Sequence, residues 1–182
     1  MFDSIKSSLT HTPKIYANFN TRNSFISNYR AQVRGVVLGA NFNSQFTLAI
    51  GYNWLHTDFF RPIGESDTAL LKIRYVSPFM EYSFLEKNNL EITIPVYLGF
   101  GISGFEKIDG TLVNKRFILL YEPSMKATYR ILRYFNVSAG IGFRAILAGN
   151  GNLSENPITP TYTLGAGLFL GDIYRDVKKA FD

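Results

Sequence analysis

Six charged residues share a pattern that could do chemistry. Glu81, Glu91, Glu122, Lys126, Arg130 and Arg144 lie in stretches that alternate polar and apolar side chains, and all six fall on the polar parity. On the inside of a narrow closed sheet each charge needs a partner, because an unpaired buried charge costs several kcal/mol. The expected arrangement is therefore an ion-paired network. It would act as a plug, and a gated pore or proton path is the functional alternative. A second group is His56, with Asp58, Ser66 and Asp67 close in sequence. A histidine base, a serine nucleophile and an orienting carboxylate are the parts of an acyl-transfer site. Two histidines in the chain and no motif around them favour a polar histidine, so no catalytic residue is assigned, and His56, Ser66 and Asp67 stand only as candidates. Without cysteines there is no thiol chemistry and no cysteine metal site. GNGNLSENP lacks the spacing of a calcium loop, so no metal or cofactor is expected.

The elements that must position these residues are extended. Alternation marks eight segments, roughly 14–20, 32–42, 46–59, 70–85, 89–105, 116–131, 135–148 and 161–174. Before them DSIKSSL suits a short helix capped by Asp3 with Ile5 and Leu9 on one face, and after them YRDVKKAFD frays or turns helical. Sixteen Phe, 11 Tyr and 15 Gly, with no long helix-forming run, fit an all-β chain of one domain. No stretch reaches the roughly 18 apolar residues of a membrane helix. The N-terminus lacks the apolar core of a signal peptide. The +5 formal charge is scattered without a basic run, so nucleic acid is not an expected partner.

Connections alternate in length. NSQ (43–45), EKN (86–88) and LRY (132–134) are tight, whereas 21–30, 61–70, 107–115 and 149–160 are long and polar. An up-and-down meander thus gathers its long loops at one end and its tight turns at the other. Three-residue turns also predict register, since paired residues must share a face. LRY sets Thr128, Lys126, Ser124 and Glu122 opposite Ser138, Gly140, Gly142 and Arg144. NSQ sets Phe42, Leu38 and Val36 opposite Phe46, Ile50 and Tyr52 on the apolar face. EKN sets Phe84 and Tyr82 opposite Leu90 and Ile92, with Ser83–Glu91 and Glu81–Thr93 on the other face.

Three features decide which face is wet. The apolar parity carries far more bulk than an eight-stranded barrel can enclose. Nine strand glycines, among them Gly39, Gly99 and Gly140, sit on the polar parity, where they make room for long side chains. Phe42, Phe46, Phe84 and Phe135 gather at the turn end of the apolar face, and Tyr52, Trp54 and Tyr121 toward the loop end, as two interfacial girdles. The apolar face is expected to meet lipid, with Arg34 stacked on Trp54 at the headgroup boundary. Pro78, Pro95 and Pro123 each require a bulge or an unpaired position. A bulge near Ser77–Pro78 would repair the fourth segment, where Leu71, Ile73 and Tyr75 share one parity and Met80, Tyr82 and Phe84 the other.

With these elements in place, the chain resembles the small eight-stranded outer-membrane barrels of the OmpA/OmpX type over about 14–174. The run RNSFISNYRAQVRGVVLGANFNSQFTLAIGYNWL is also similar to outer-membrane proteins of Bacteroidota. The resemblance implies an antiparallel up-and-down transmembrane β-barrel with a polar, plugged lumen over 14–174, a periplasmic segment at 1–13 and a periplasmic tail at 175–182. It implies a bacterial outer-membrane location, the signal peptide having been removed. Partners would be the bilayer, lipopolysaccharide and a larger outer-membrane complex. Arg22, Arg30, Lys107, Lys115 and Arg116 would then carry positive charge near the loop end, on a solvated surface or beside lipopolysaccharide phosphates. The expected function is non-enzymatic, as a structural or accessory subunit of the envelope. The alternatives are an enzyme modifying lipid A or phospholipid through His56, and a soluble ligand-binding barrel.

Overall fold

The computed structural model describes residues 13–26, 29–42, 45–63, 67–107, 110–148 and 158–181. β1 (Lys14–Ile26), β2 (Tyr29–Phe42), β3 (Phe46–Leu55), β5 (Asp67–Lys87), β6 (Leu90–Glu106), β7 (Leu112–Arg130), β8 (Phe135–Ala148) and β9 (Ile158–Leu168) form one antiparallel sheet. β3 pairs with β5 and β9 pairs with β1, so the eight strands close into a ring. The four-residue β4 (Phe60–Ile63) only extends the loop end of β5. A helix, α1 (Leu170–Phe181), follows β9 at the tight-turn end. No helix among the described residues is long and apolar enough to cross a membrane, which says nothing of a barrel. The helix expected at DSIKSSL lies outside the described residues.

Two of the three turn-derived registers are observed. Phe42 pairs with Phe46, Leu38 with Ile50 and Val36 with Tyr52. Thr128, Lys126 and Ser124 pair with Ser138, Gly140 and Gly142. The third differs. Asn88 takes up a left-handed conformation (φ 54°), so Lys87 pairs directly with Leu90 across a two-residue turn. A bulge between Ser83 and Leu85 absorbs the offset, and Tyr82 meets Ile94 while Ser83 meets Thr93. No bulge occurs at Ser77–Pro78. Register is unchanged on either side of Pro78, Pro95 and Pro123, where the pairing with one neighbouring strand skips two residues. A skipped pair removes the need for a proline N–H without bending the strand.

The slip in the fourth segment has another cause. Leu71, Ile73 and Tyr75 continue the inward parity of Ser77, Phe79 and Glu81, all buried. With Ala31, Val33, Leu55, Phe105, Ile118 and Leu120 they form an apolar core inside the loop end of the ring. The interior is thus mainly polar from the tight turns to mid-barrel, around a small cluster of Val37, Phe79 and Tyr97, and mainly apolar beyond, where Ser24 and Ser103 are also buried. Outside, large apolar side chains such as Leu38, Ile50, Met80, Ile102, Ile141 and Leu164 stand exposed on every side. At about 3.3 Å per residue and a tilt of about 40°, Phe46–Trp54 rises about 20 Å and Leu90–Ile102 about 30 Å. These spans bracket the apolar band of a membrane barrel, about 25 Å tall.

Candidate functional site in the barrel interior

The buried charges fall into two groups. Glu122 on β7, 4% exposed, receives Arg144 from the neighbouring strand β8 and Arg22 from β1 across the barrel, the latter at 2.5 Å. Arg144 also donates to the Tyr75 hydroxyl at 3.3 Å, and the Arg22 guanidinium lies 4.3 Å from the centre of the Tyr97 ring. Nearer the tight turns, Lys126 bonds Glu81 at 2.7 Å. Glycine makes room here: Gly140 is the cross-strand partner of Lys126, and a Cβ on Gly39 would lie 2.5 Å from the Tyr16 ring. Smaller polar pairs fill the gaps, Asn53 to Ser77 at 2.8 Å and Ser24 to Thr159 at 2.9 Å. Among the described residues, two Arg22 nitrogens, Nε and Nη2, are buried without a hydrogen-bond partner.

The predicted residues are placed as follows. Glu122 and Arg144 are together, as are Glu81 and Lys126. Glu91 lines a cavity of about 50 Å³ at the turn-end mouth, beside Glu81, Lys126 and Phe169. Arg130 lies 4.2 Å from the centre of the Phe169 ring, and among the described residues it joins no ion pair. Phe169 joins β9 to α1, so this contact lies at the turn-end mouth. Arg22, expected at the loop surface, is 2% exposed inside the barrel because β1 runs to Ile26 and not to residue 20. Its signal is Asn18, Asn20, Arg22 and Ser24, polar at every second position on the inward parity. Polar Thr21 and Asn23 on the outward parity break the alternation and hide it.

Of the girdle aromatics, Tyr52, Phe84, Tyr121 and Phe135 are exposed on the outer face, while Phe42 and Trp54 are half-buried. Phe46 departs from the pattern at 8% exposed, set in register between Phe42 and Tyr82. Trp54 pairs across the strands with Arg34, but the ring near it is Tyr52, 6.1 Å away. The cation–π contacts among the described residues belong to Arg22, Arg130 and Arg133, not to Arg34. Lys115 is exposed, and Arg116 is half-buried on the inward parity.

His56 is exposed after the end of β3, its backbone N–H bonded to the Gln32 carbonyl at 2.8 Å. Asp58 is exposed nearby, Ser66 lies outside the described residues, and Asp67 begins β5. Among the described residues no three His, Asp or Glu side chains gather as a metal site.

No protein-family model and no curated protein matches the chain by sequence. Solved structures do match. Neisserial surface protein A superposes with a TM-score of 0.65 at 11% identity, over 86% of this chain and 96% of that one. The N-terminal β-barrel domain of Pseudomonas aeruginosa OprF gives 0.55 at 13% identity, over 86% and 98%. Ail, the attachment invasion locus protein of Yersinia pestis, solved with the heparin analogue sucrose octasulfate, gives 0.53 at 13%, over 86% and 96%. The chain has the eight-stranded, antiparallel, up-and-down fold of small outer-membrane β-barrels.

Proposed function

We propose that this chain is a non-enzymatic integral protein of a bacterial outer membrane, acting as a structural or accessory subunit of an envelope complex. One observation carries the reading: the outer wall is a continuous apolar belt, while the interior is filled by ion pairs and an apolar core. Such a molecule presents its wall and its loops rather than a channel or a reactive pocket. The wall can pack against another barrel as readily as against lipid, and lipopolysaccharide phosphates suit the cations near the loop end. The structural neighbours are themselves outer-membrane barrels, which supports the location. An exposed His56 favours no hydrolase. A soluble ligand-binding barrel conflicts with the exposed belt and the filled lumen.

Cross-linking followed by co-purification from native membranes tests the subunit role. A stoichiometric envelope partner is expected, and recovery of the chain free of any partner at native abundance overturns it. Incubation with outer-membrane lipids should leave lipid A and phospholipid mass spectra unchanged, and a new deacylated species would reverse the non-enzymatic reading. Heat-modifiable gel mobility in detergent is expected of the barrel, and folding without detergent would favour the soluble alternative.

A further inference from the structure

The helix α1 carries an apolar face that nothing among the described residues covers. Leu170, Tyr174 and Val177 recur at spacings of four and three, which places them in one stripe. All three are exposed, Tyr174 at 70% and Val177 at 50%. The helix is nonetheless held firmly. Gly171 packs against the backbone of Ile15 at the start of β1. One turn further on, Asp176 accepts from Tyr134 at 2.5 Å and from Arg133 at 2.8 Å, both in the β7–β8 turn. Tied at these two places, α1 lies along the tight-turn rim and does not hang free. Its other flank carries Arg175, Lys178 and Lys179.

We infer that α1 is an interfacial helix, seated on the leaflet at the tight-turn end, with its apolar stripe at the boundary of headgroups and acyl chains and its cations on anionic headgroups. Two features select a lipid surface as the occupant. The stripe starts beside Ile15, whose exposed side chain belongs to the outer belt, so helix and wall present one continuous apolar surface. The flanking Lys178 and Lys179 match anionic lipid, the pattern of helices that lie in a membrane interface, while Arg175 is paired with Asp172 on the same helix. The inference rests on the barrel spanning a membrane, and the experiment separates the two.

The chain has no cysteine, so single cysteines can be introduced and spin-labelled. The full chain is reconstituted in phosphatidylcholine vesicles containing phosphatidylglycerol, and collision with oxygen and with a water-soluble nickel chelate is compared. Tyr174→Cys and Val177→Cys should show a positive depth parameter, Lys179→Cys a negative one, and Ile50→Cys on the wall the deepest value. Replacing Lys178 and Lys179 by Glu should shift the Val177→Cys label toward water in these vesicles. Water exposure at 174 and 177 with Ile50→Cys in lipid overturns the inference alone. Shielding of 174 and 177 from both reagents marks a protein contact and also overturns it. A wall label exposed to water overturns the membrane reading itself.

Discussion

Glu122 sits between two guanidiniums, and the interior depends on it more than on any other carboxylate. Neutralising it leaves Arg22 and Arg144 buried without a counter-charge, a loss of about 3–5 kcal/mol. Glu122→Gln should therefore lower the urea midpoint of the detergent-solubilised barrel steeply, read from the fluorescence of the single Trp54. The Glu81–Lys126 pair should behave differently when it is removed whole. Replacing both residues by Met deletes the two charges together and should cost less than Glu81→Met alone, which strands a buried ammonium. A double variant less stable than that single variant would contradict this reading. These residues differ in how far the sequence reveals them. Glu122 and Arg144 are legible because they occupy neighbouring strands, and one turn length sets their register. Arg22 reaches Glu122 from across the barrel, a contact no hairpin rule encodes. Arg130 has the right parity, yet an aromatic ring beyond β9 takes it first.

At the scale of elements, alternation finds every strand of the ring but misreads where strands end. β5 illustrates the reason: its inward parity changes from mixed (Glu81, Phe79, Ser77) to apolar from Tyr75 to Leu71, and a period-two pattern read by polarity alone registers that change as a slip. The apolar residues there are a second core, and Ile118, buried in it, should behave as a core residue. Ile118→Ala is expected to cost about 2–5 kcal/mol in the same unfolding assay. The last strand is mistaken in the opposite sense. Extended structure is expected to residue 174, but β9 ends at Leu168 and α1 takes Leu170 onward, with Asp172 in its first turn and Lys178 and Lys179 in its last. The helix is pinned by a bond that titrates. Donation to the Asp176 carboxylate pushes the Tyr134 phenol above its ordinary value of about 10. A raised folded pKa means the attachment is fully present below that ordinary value and is lost as pH climbs from it through the raised value. A spin label at Lys179→Cys should accordingly gain mobility at alkaline pH. Tyr134→Phe should already be looser at neutral pH and lose that alkaline step.

Considered whole, the barrel is closed twice, by different physics. Ions entering from the tight turns meet Arg130 over Phe169, then the Glu81–Lys126 pair, then the Arg22–Glu122–Arg144 triad, whose net charge is positive. Ions entering from the loops meet the largely apolar layer around Ile73, Ile118 and Leu120, a poor substitute for a hydration shell. Eight strands leave an interior only wide enough for side chains, and ion pairs and apolar groups occupy it. Pure protein in planar bilayers should therefore give no steady open channels. Glu122→Gln should not create them either, because it disturbs the polar barrier and leaves the apolar one intact. Opening requires the second barrier to be hydrated. The triple variant Ile73→Ser, Ile118→Ser and Leu120→Ser, combined with Glu122→Gln, should pass small cations and anions, provided gel mobility confirms that it folds. Steady conductance from the unaltered chain would show that the interior is a pore and not a plug. Conductance from Glu122→Gln alone would show that the apolar layer does not seal.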